Sequence, residues 1–568
     1  MQACRNALIG VGIFSAVSNV LMLTGSIFML EVYDRVLPSR SVPTLIGLCV
    51  IAAFLFGMLG VLDLIRSRIM VRIGSSLDEA LSGRVYETLI RIPLKVGNRS
   101  DGLQPLRDLD SLRSFLSGSG PIAFFDLPWL PVYLLICFVF FHFWIGMAAL
   151  FGAIILISLT VMTEKWTKKP MMDSTQHALT RNGLAEISIR NAEAIASMGM
   201  SARIAGRWAE ANRRYMSSHR KASDVSGGLG AISKCLRMMI QSGVLAVGAW
   251  LVINQQASAG IIIAGSILSA RALAPVDLAI ANWKSFQSAR QAWARLNRLL
   301  AVFPAQKELM PLQAPVASLA VENVSAAPPG VQKLVVSDVS FMLQAGNGLG
   351  IIGPSASGKS SLARLLVGLW QPVRGNVRID GAALDQWMPE ALGRHIGYLP
   401  QNVELLAGSV AQNISRFEHD ADPEAIVNAA KTAGVHDMIV KLPDGYETAV
   451  GEQGSALSAG QAQRIALARA LYRDPFLVVL DEPNSNLDHE GDEALARAVT
   501  SVRKRGGIAV IIAHRPSALE SVDLLCVMGQ GRMLHPVGPR DAVLSKVLQR
   551  PAQPRPLKVV PETGEAPA

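Results

Sequence analysis

The sequence predicts a helical membrane domain of six spans followed by a soluble α/β domain, and three observations predict it. Four long uncharged stretches lie before residue 280: 7–30, 41–62, 127–163 and 238–270. The segments between them differ sharply in Lys and Arg content. Beyond residue 315 the pattern changes to short apolar runs, Gly-rich turns and amphipathic segments. Composition agrees. The 568 residues are 50% hydrophobic and 17% charged, with a mean hydropathy of +0.32. Soluble domains carry about a quarter charged residues, so a wholly soluble chain is disfavoured. Disorder of the whole chain is excluded, because disorder needs low hydrophobicity and high charge.

A helix needs roughly 20 apolar residues to cross a bilayer at 1.5 Å per residue. The first two stretches are therefore one span each. The last two are long enough for helical hairpins, with turns expected near Phe141–Gly146 and Asn254–Gly260, where polar residues and Gly collect. Residues 7–30 are too long for the apolar core of a secretory signal and lack a convincing cleavage site. Segment 65–121 carries nine Lys and Arg and segment 164–231 carries eleven, whereas the opposite short loops hold only Arg35 and Arg40. The positive-inside rule puts both long segments and both termini in the cytoplasm. That asymmetry also explains much of the +10 net charge, so no nucleic-acid partner is expected.

Both long segments read as helical extensions of the spans. Leu106, Leu109, Leu112 and Phe115 recur at helical spacing and are expected to form a docking face. Arg237 and Arg271 each lie 17 residues from Asn254, about 25 Å along a helix, and are read as snorkelling to the cytoplasmic interface. The five cysteines are scattered and form neither a ligand spacing nor a disulfide framework.

The soluble half begins after a Pro-rich stretch. Leu349–Ile352 is a short apolar run, followed by Gly353, Pro354, Ser355, Ala356, Ser357, Gly358, Lys359, Ser360 and Ser361, and then a helix-forming segment. This is G-x-x-x-x-G-K-S between a strand and a helix, the setting that identifies a phosphate-binding P-loop. Its backbone N–H groups would cradle phosphates, Lys359 would reach the β/γ-phosphates of ATP, and Ser360 would bind Mg²⁺. Phe476–Leu480 is a continuous apolar run that ends in Asp481 and Glu482. Such a run is a buried parallel strand, and its carboxyl end is where α/β sheets bind ligands. Asp481 is assigned to the Mg²⁺ shell and Glu482 to the attacking water. The expected boundaries are a membrane domain with long cytoplasmic loops over 1–302, a linker over 303–317, the nucleotide-binding domain over 318–549 and a disordered tail over 550–568.

At this point the residues resemble a known family. Leu457-Ser458-Ala459-Gly460-Gln461 resembles the signature of ATP-binding-cassette (ABC) ATPases, usually L-S-G-G-Q. Gln401 resembles the Q-loop glutamine, Ser485–Asp488 the D-loop, His514 the switch histidine, and Gly451–Gly454 the exporter-specific segment before the signature. The resemblance implies a fold of six transmembrane helices of exporter type followed by an ABC ATPase. It implies ATP hydrolysis with Glu482, His514 and Gln401 as catalytic residues. ATP would be held by the P-loop residues together with Ser458, Gly460 and Gln461, and Mg²⁺ by Ser360, Gln401 and Asp481. It further implies a head-to-tail homodimer, with coupling segments near Leu106–Leu116 and Ser188–Ala192. Two features depart from the pattern. Ala459 stands where the family usually has Gly, and Val324–Gly330 offers no aromatic residue to stack adenine.

The membrane half resembles type I secretion transporters. Leu30–Arg40 with Ser41–Leu45, Asn191–Met200 and Val324–Gly330 are similar to the subclass that exports metalloproteases, lipases and RTX-type proteins. No long soluble region precedes the first span, so the peptidase-like domain of toxin and bacteriocin exporters is expected to be absent. The expectation is ATP-driven export of a protein across a bacterial inner membrane, with lipid around the spans. The partners implied are a periplasmic adaptor, an outer-membrane channel and a substrate with a C-terminal signal. The alternative is a homodimeric exporter of lipids or small hydrophobic molecules.

Overall fold

The computed structural model describes residues 2–97, 102–304, 310–451, 454, 456–513 and 516–548. The chain divides into two compact units, Met1–Ile92 with Asn98–Ala305, and Pro93–Gly97 with Gln306–Ala568.

The first unit is all helical. Six helical stretches are long and apolar enough to cross a membrane: Arg5–Ser39, Val42–Lys95, Gly120–Phe141, Phe143–Arg190, Ser201–Ile253 and Ala259–Ala281. The turns fall as the polar clusters predict. His142 leaves helical geometry and caps the next helix, its Nδ1 accepting from the Trp144 N–H at 3.3 Å. Asn254–Ser258 joins the last two spans, with Ser258 capping the Ala259–Ala281 helix through Ile261 N–H. The first span departs from a plain helix. It breaks at Met22–Leu23 and widens into a π-turn over Val32–Val36. Helices Val42–Val96, Phe143–Arg190 and Ser201–Ile253 have 55, 48 and 53 residues. At 1.5 Å per residue they run about 70–80 Å, more than twice the roughly 30 Å hydrocarbon core, so much of each stands outside the bilayer.

Two expectations about this unit change. Leu109 and Leu112, on the Gln104–Leu116 helix, are buried. Leu109 packs with Val85 and Leu296, and the Phe115 ring lies 5.8 Å from Phe286. Asp108 on the same helix accepts from Arg295 Nη2 and Nε at 2.7 and 2.8 Å. Helical periodicity identified an apolar face correctly, but the neighbouring Trp283–Val302 helix covers it. Arg237 does not merely snorkel. It pairs with Asp277 of the next span at 2.7 Å. The linker residues 305–309, Glu452 and Gln453 of the exporter-specific segment, His514 and the tail lie outside the described residues.

The second unit is built on two sheets. Strands β1 (Ser318–Ala326), β2 (Val336–Gln344), β4 (Arg374–Ile379) and β5 (Ala382–Ala383) form an antiparallel sheet in the order β2-β1-β4-β5. Strands β3 (Gly348–Ile352), β6 (Ile396–Leu399), β7 (Leu477–Asp481), β8 (Ile508–Ile512), β9 (Leu524–Gly529) and β10 (Arg532–Pro539) form the second, in the order β10-β9-β3-β8-β7-β6. It is parallel except for β10. Strands β7 and β8 are buried on both faces, which explains their unbroken apolar runs. Val478, Leu480, Ala509 and Ile511 join one core, with the Ala459–Leu471 and His489–Lys504 helices. Leu477, Val479, Ile508, Val510 and Ile512 join the other, with the Lys359–Leu366 helix and the antiparallel sheet. Each buried Leu or Ile stabilises by about 1.5–3 kcal/mol relative to exposure.

Candidate functional site

The period of two along β7 positions the site. Leu477 and Val479 face the core that contains the Lys359–Leu366 helix, so Asp481 points to the same side. There the Ser360 hydroxyl donates to Asp481 Oδ1 at 3.1 Å. Asp481 is 1% exposed, and its Oδ2 has no hydrogen-bond partner among the described residues. Burial pushes its carboxyl above the ordinary range, and the Glu482 charge adds to the shift.

The loop before Ser360 wraps tightly. Gly353 has φ +154°, and a Cβ there would lie 2.1 Å from the Met528 carbonyl oxygen. Gly358 has φ +96°, with the Val335 carbonyl oxygen 2.6 Å from its missing Cβ. Neither place admits a side chain. Lys359 is buried, and its ammonium donates to the Gly353 and Pro354 carbonyls at 2.9 Å each. Burial lowers its pKa, while the Glu482 and Asp481 charges oppose the shift. The loop therefore brings a cation to the N-terminus of the Lys359–Leu366 helix, a setting that suits phosphate.

Glu482 leaves the strand at φ +51°, an uncommon conformation for a glutamate. Its N–H donates to the Ile512 carbonyl at 2.9 Å, and its Oε2 accepts from the Gln401 amide at 3.1 Å. Gln401 and Glu482 are thus in direct contact beside the Ser360–Asp481 pair. The signature residues lie on a different element. Ser458 caps the Ala459–Leu471 helix in a reciprocal box with Gln461, at 2.9 and 3.3 Å. Ala459 holds ordinary helical backbone at the first position of that helix, so the backbone there does not require a glycine.

One residue escaped the sequence reading. Gln463 is 2% exposed, donates to the Pro483 carbonyl and accepts from the Asn486 N–H at 3.0 Å. It ties the signature helix to the turn that carries Glu482. The local sequence carried no signal for it, because Gln461 two positions earlier is equally polar. Arg464 beside it pairs with Asp488, the cap of the next helix.

Comparisons with known proteins identify the family. The ABC transporter family matches residues 336–485, and the ABC transporter transmembrane region matches residues 8–276. The type I secretion system ATP-binding protein PrsD of Rhizobium meliloti (strain 1021) is 56% identical over 568 residues, covering 100% of this chain and 97% of that one. The chain belongs to the ABC transporters of type I secretion systems. The transporter is 30% identical over 546 residues to the exotoxin translocation ATP-binding protein PaxB of Pasteurella aerogenes, covering 93% of this chain and 75% of that one. It superposes on a bacterial Atm1-family ABC exporter with ATP bound at a TM-score of 0.83, with 21% identity and 96% of both chains covered; that likeness concerns the fold. The transporter is a nucleotide-binding ATPase coupled to transport, a multi-pass protein of the inner membrane with its ATPase domain in the cytoplasm.

Proposed function

We propose that this transporter is the energising subunit of a type I secretion machine, hydrolysing ATP to export a protein across the inner membrane. The contact of Gln401 with Glu482, next to the buried Ser360–Asp481 pair, carries the hydrolytic part of this reading. The 56% identity to PrsD favours protein cargo over a lipid or small-molecule cargo. A periplasmic adaptor, an outer-membrane channel and a substrate with a C-terminal signal complete the machine. Tagged transporter purified from its host tests this: adaptor and secreted protein should copurify, and deletion of the gene should stop secretion. Normal secretion without the transporter would refute the reading.

Lys359 and the loop amides hold the phosphates of ATP. Mg²⁺ fits the Ser360 and Asp481 oxygens, because a buried carboxylate with one unused oxygen beside a hydroxyl supplies the hard donors it prefers. When bound, the ion neutralises charge developing on the transferred phosphoryl group. Asp481 orients Ser360, Gln401 positions Glu482, and Glu482 orients the attacking water and takes its proton. His514 is assigned to the same chemistry from its motif alone. Lys359→Ala should weaken nucleotide binding roughly 10- to 100-fold, since a charge-assisted contact is worth about 1.5–3 kcal/mol. Calorimetry on the purified variant checks this, and unchanged affinity would refute the assignment.

The transporter acts as a homodimer, with ATP between the P-loop of one subunit and Ser458 and Gly460 of the other. Ser458 is exposed, and its hydroxyl serves only its own helix among the described residues. A heterodimer of Lys359→Ala and Ser458→Arg subunits should keep one intact composite site and bind one nucleotide. Loss at both sites would mean that each chain builds its own. Ser188–Ala192, at the end of the Phe143–Arg190 helix, is the coupling segment; Ile189 within it and Ile187 just before it are exposed.

A further inference from the structure

We propose that a basic groove between the Phe143–Arg190 and Ser201–Ile253 helices, beyond the cytoplasmic face of the bilayer, binds an acidic segment of the exported polypeptide. This rests on the protein-export reading.

The groove encloses about 640 Å³. His177, Thr180 and Leu184 line it from one helix, and Arg203, Arg207 and Arg214 from the other. All three arginines are exposed. Glu210 is the one carboxylate in the lining, and it is already engaged by Arg213 and Arg214 at 2.7 and 3.1 Å. Arg203 and Arg207 have no ion pair or side-chain hydrogen bond among the described residues. Gly206 leaves space between them, with nothing within 4 Å of a Cβ built there. The groove thus offers an apolar floor at Leu184 and Ala211 under two uncommitted guanidinium groups.

Of the eleven cations between these two spans, Arg203 and Arg207 are not ones that the positive-inside bias requires. A span of roughly 20 residues ending at Ile253 begins near residue 233. The positive-inside bias acts over roughly 15–20 residues beyond a span, and Arg203 and Arg207 lie farther out. Depth also excludes lipid headgroups. At 1.5 Å per residue, Arg214 and Arg203 stand about 58 and 75 Å from the outer end of the helix, beyond a bilayer of about 40–45 Å. The ligand is therefore an anion from the cytoplasm. From Arg203 to Arg214 the groove runs about 16 Å, which matches about five residues of extended chain at ~3.3 Å each. An unfolded segment with alternating acidic and apolar residues satisfies both the rim and the floor.

The test uses full-length transporter in nanodiscs of a neutral lipid and a fluorescent peptide of alternating Glu and Leu, read by anisotropy. The peptide should bind, and raised salt should weaken binding. Arg203→Gln with Arg207→Gln should weaken it roughly 5- to 20-fold while basal ATPase activity stays unchanged, as two exposed charge pairs allow. Equal binding of a Lys–Leu peptide, wild-type affinity in the double variant, or displacement by inorganic phosphate at matched ionic strength would each overturn the proposal. Secretion is measured separately. Secretion without peptide binding removes the groove and leaves export standing. Peptide binding without secretion supports the groove as an acidic-peptide site and removes export.

Discussion

Glu482→Gln is expected to lower ATP turnover by about 10²–10⁴, the range a positioned general base contributes, while nucleotide affinity stays at the wild-type level. The substitution isolates the carboxylate. The new amide oxygen can still accept from Gln401, which contacts Glu482 Oε2 at 3.1 Å. The backbone is held from the Ile512 side by an N–H···O bond of 2.9 Å, so the φ of +51° should survive. Phosphate binding stays with Lys359 and its loop, which the change does not touch. Steady-state hydrolysis and equilibrium binding on one preparation separate the two effects. Wild-type turnover would remove Glu482 from the chemistry, and lost affinity would make it part of the binding site.

The arrangement around Glu482 was legible in the sequence to the extent that local periodicity controls it. Apolar residues through Leu480 announced a buried strand with Asp481 at its ligand-binding end, and the structure sets that carboxylate beside Ser360. Gln463 was not legible, because its partners are backbone groups of a turn some twenty residues away. The same contrast holds among the helices. Uncharged length gave the six spans, since the bilayer imposes a length that a sequence must meet. The π-turn at Val32–Val36 has no such signal. Leu109 and Leu112 show the limit most clearly: a helical period identifies a face to be covered and says nothing about what covers it. Here Val85 and Leu296 complete the cluster around Leu109.

The largest expected stability effect lies where three helical stretches of the membrane unit meet. Arg66 is 4% exposed, and its Nη1 donates to Asp126 Oδ1 at 2.9 Å and to Ser15 Oγ at 2.8 Å. Asn19 donates to the same Asp126 oxygen at 2.8 Å, and the Tyr133 hydroxyl donates to the Asn19 carbonyl at 2.8 Å. Arg66 stands 24 residues along its helix from Val42, about 36 Å, near the cytoplasmic edge of the bilayer. Burying two charges costs several kcal/mol each, and their attraction with good hydrogen bonds only offsets it. Removing one partner is therefore far worse than removing both. Arg66→Met should destabilise by about 3–5 kcal/mol, because Asp126 keeps only a neutral donor. Asp126→Leu should cost less, since Asp63 still holds the Arg66 Nη2 at 2.7 Å. The double variant, with apolar groups in both places, should recover most of the loss. Melting of the purified protein in one detergent, as a double-mutant cycle, measures the coupling. Additive losses in the double variant would mean that the two residues act independently, each through its remaining neighbours.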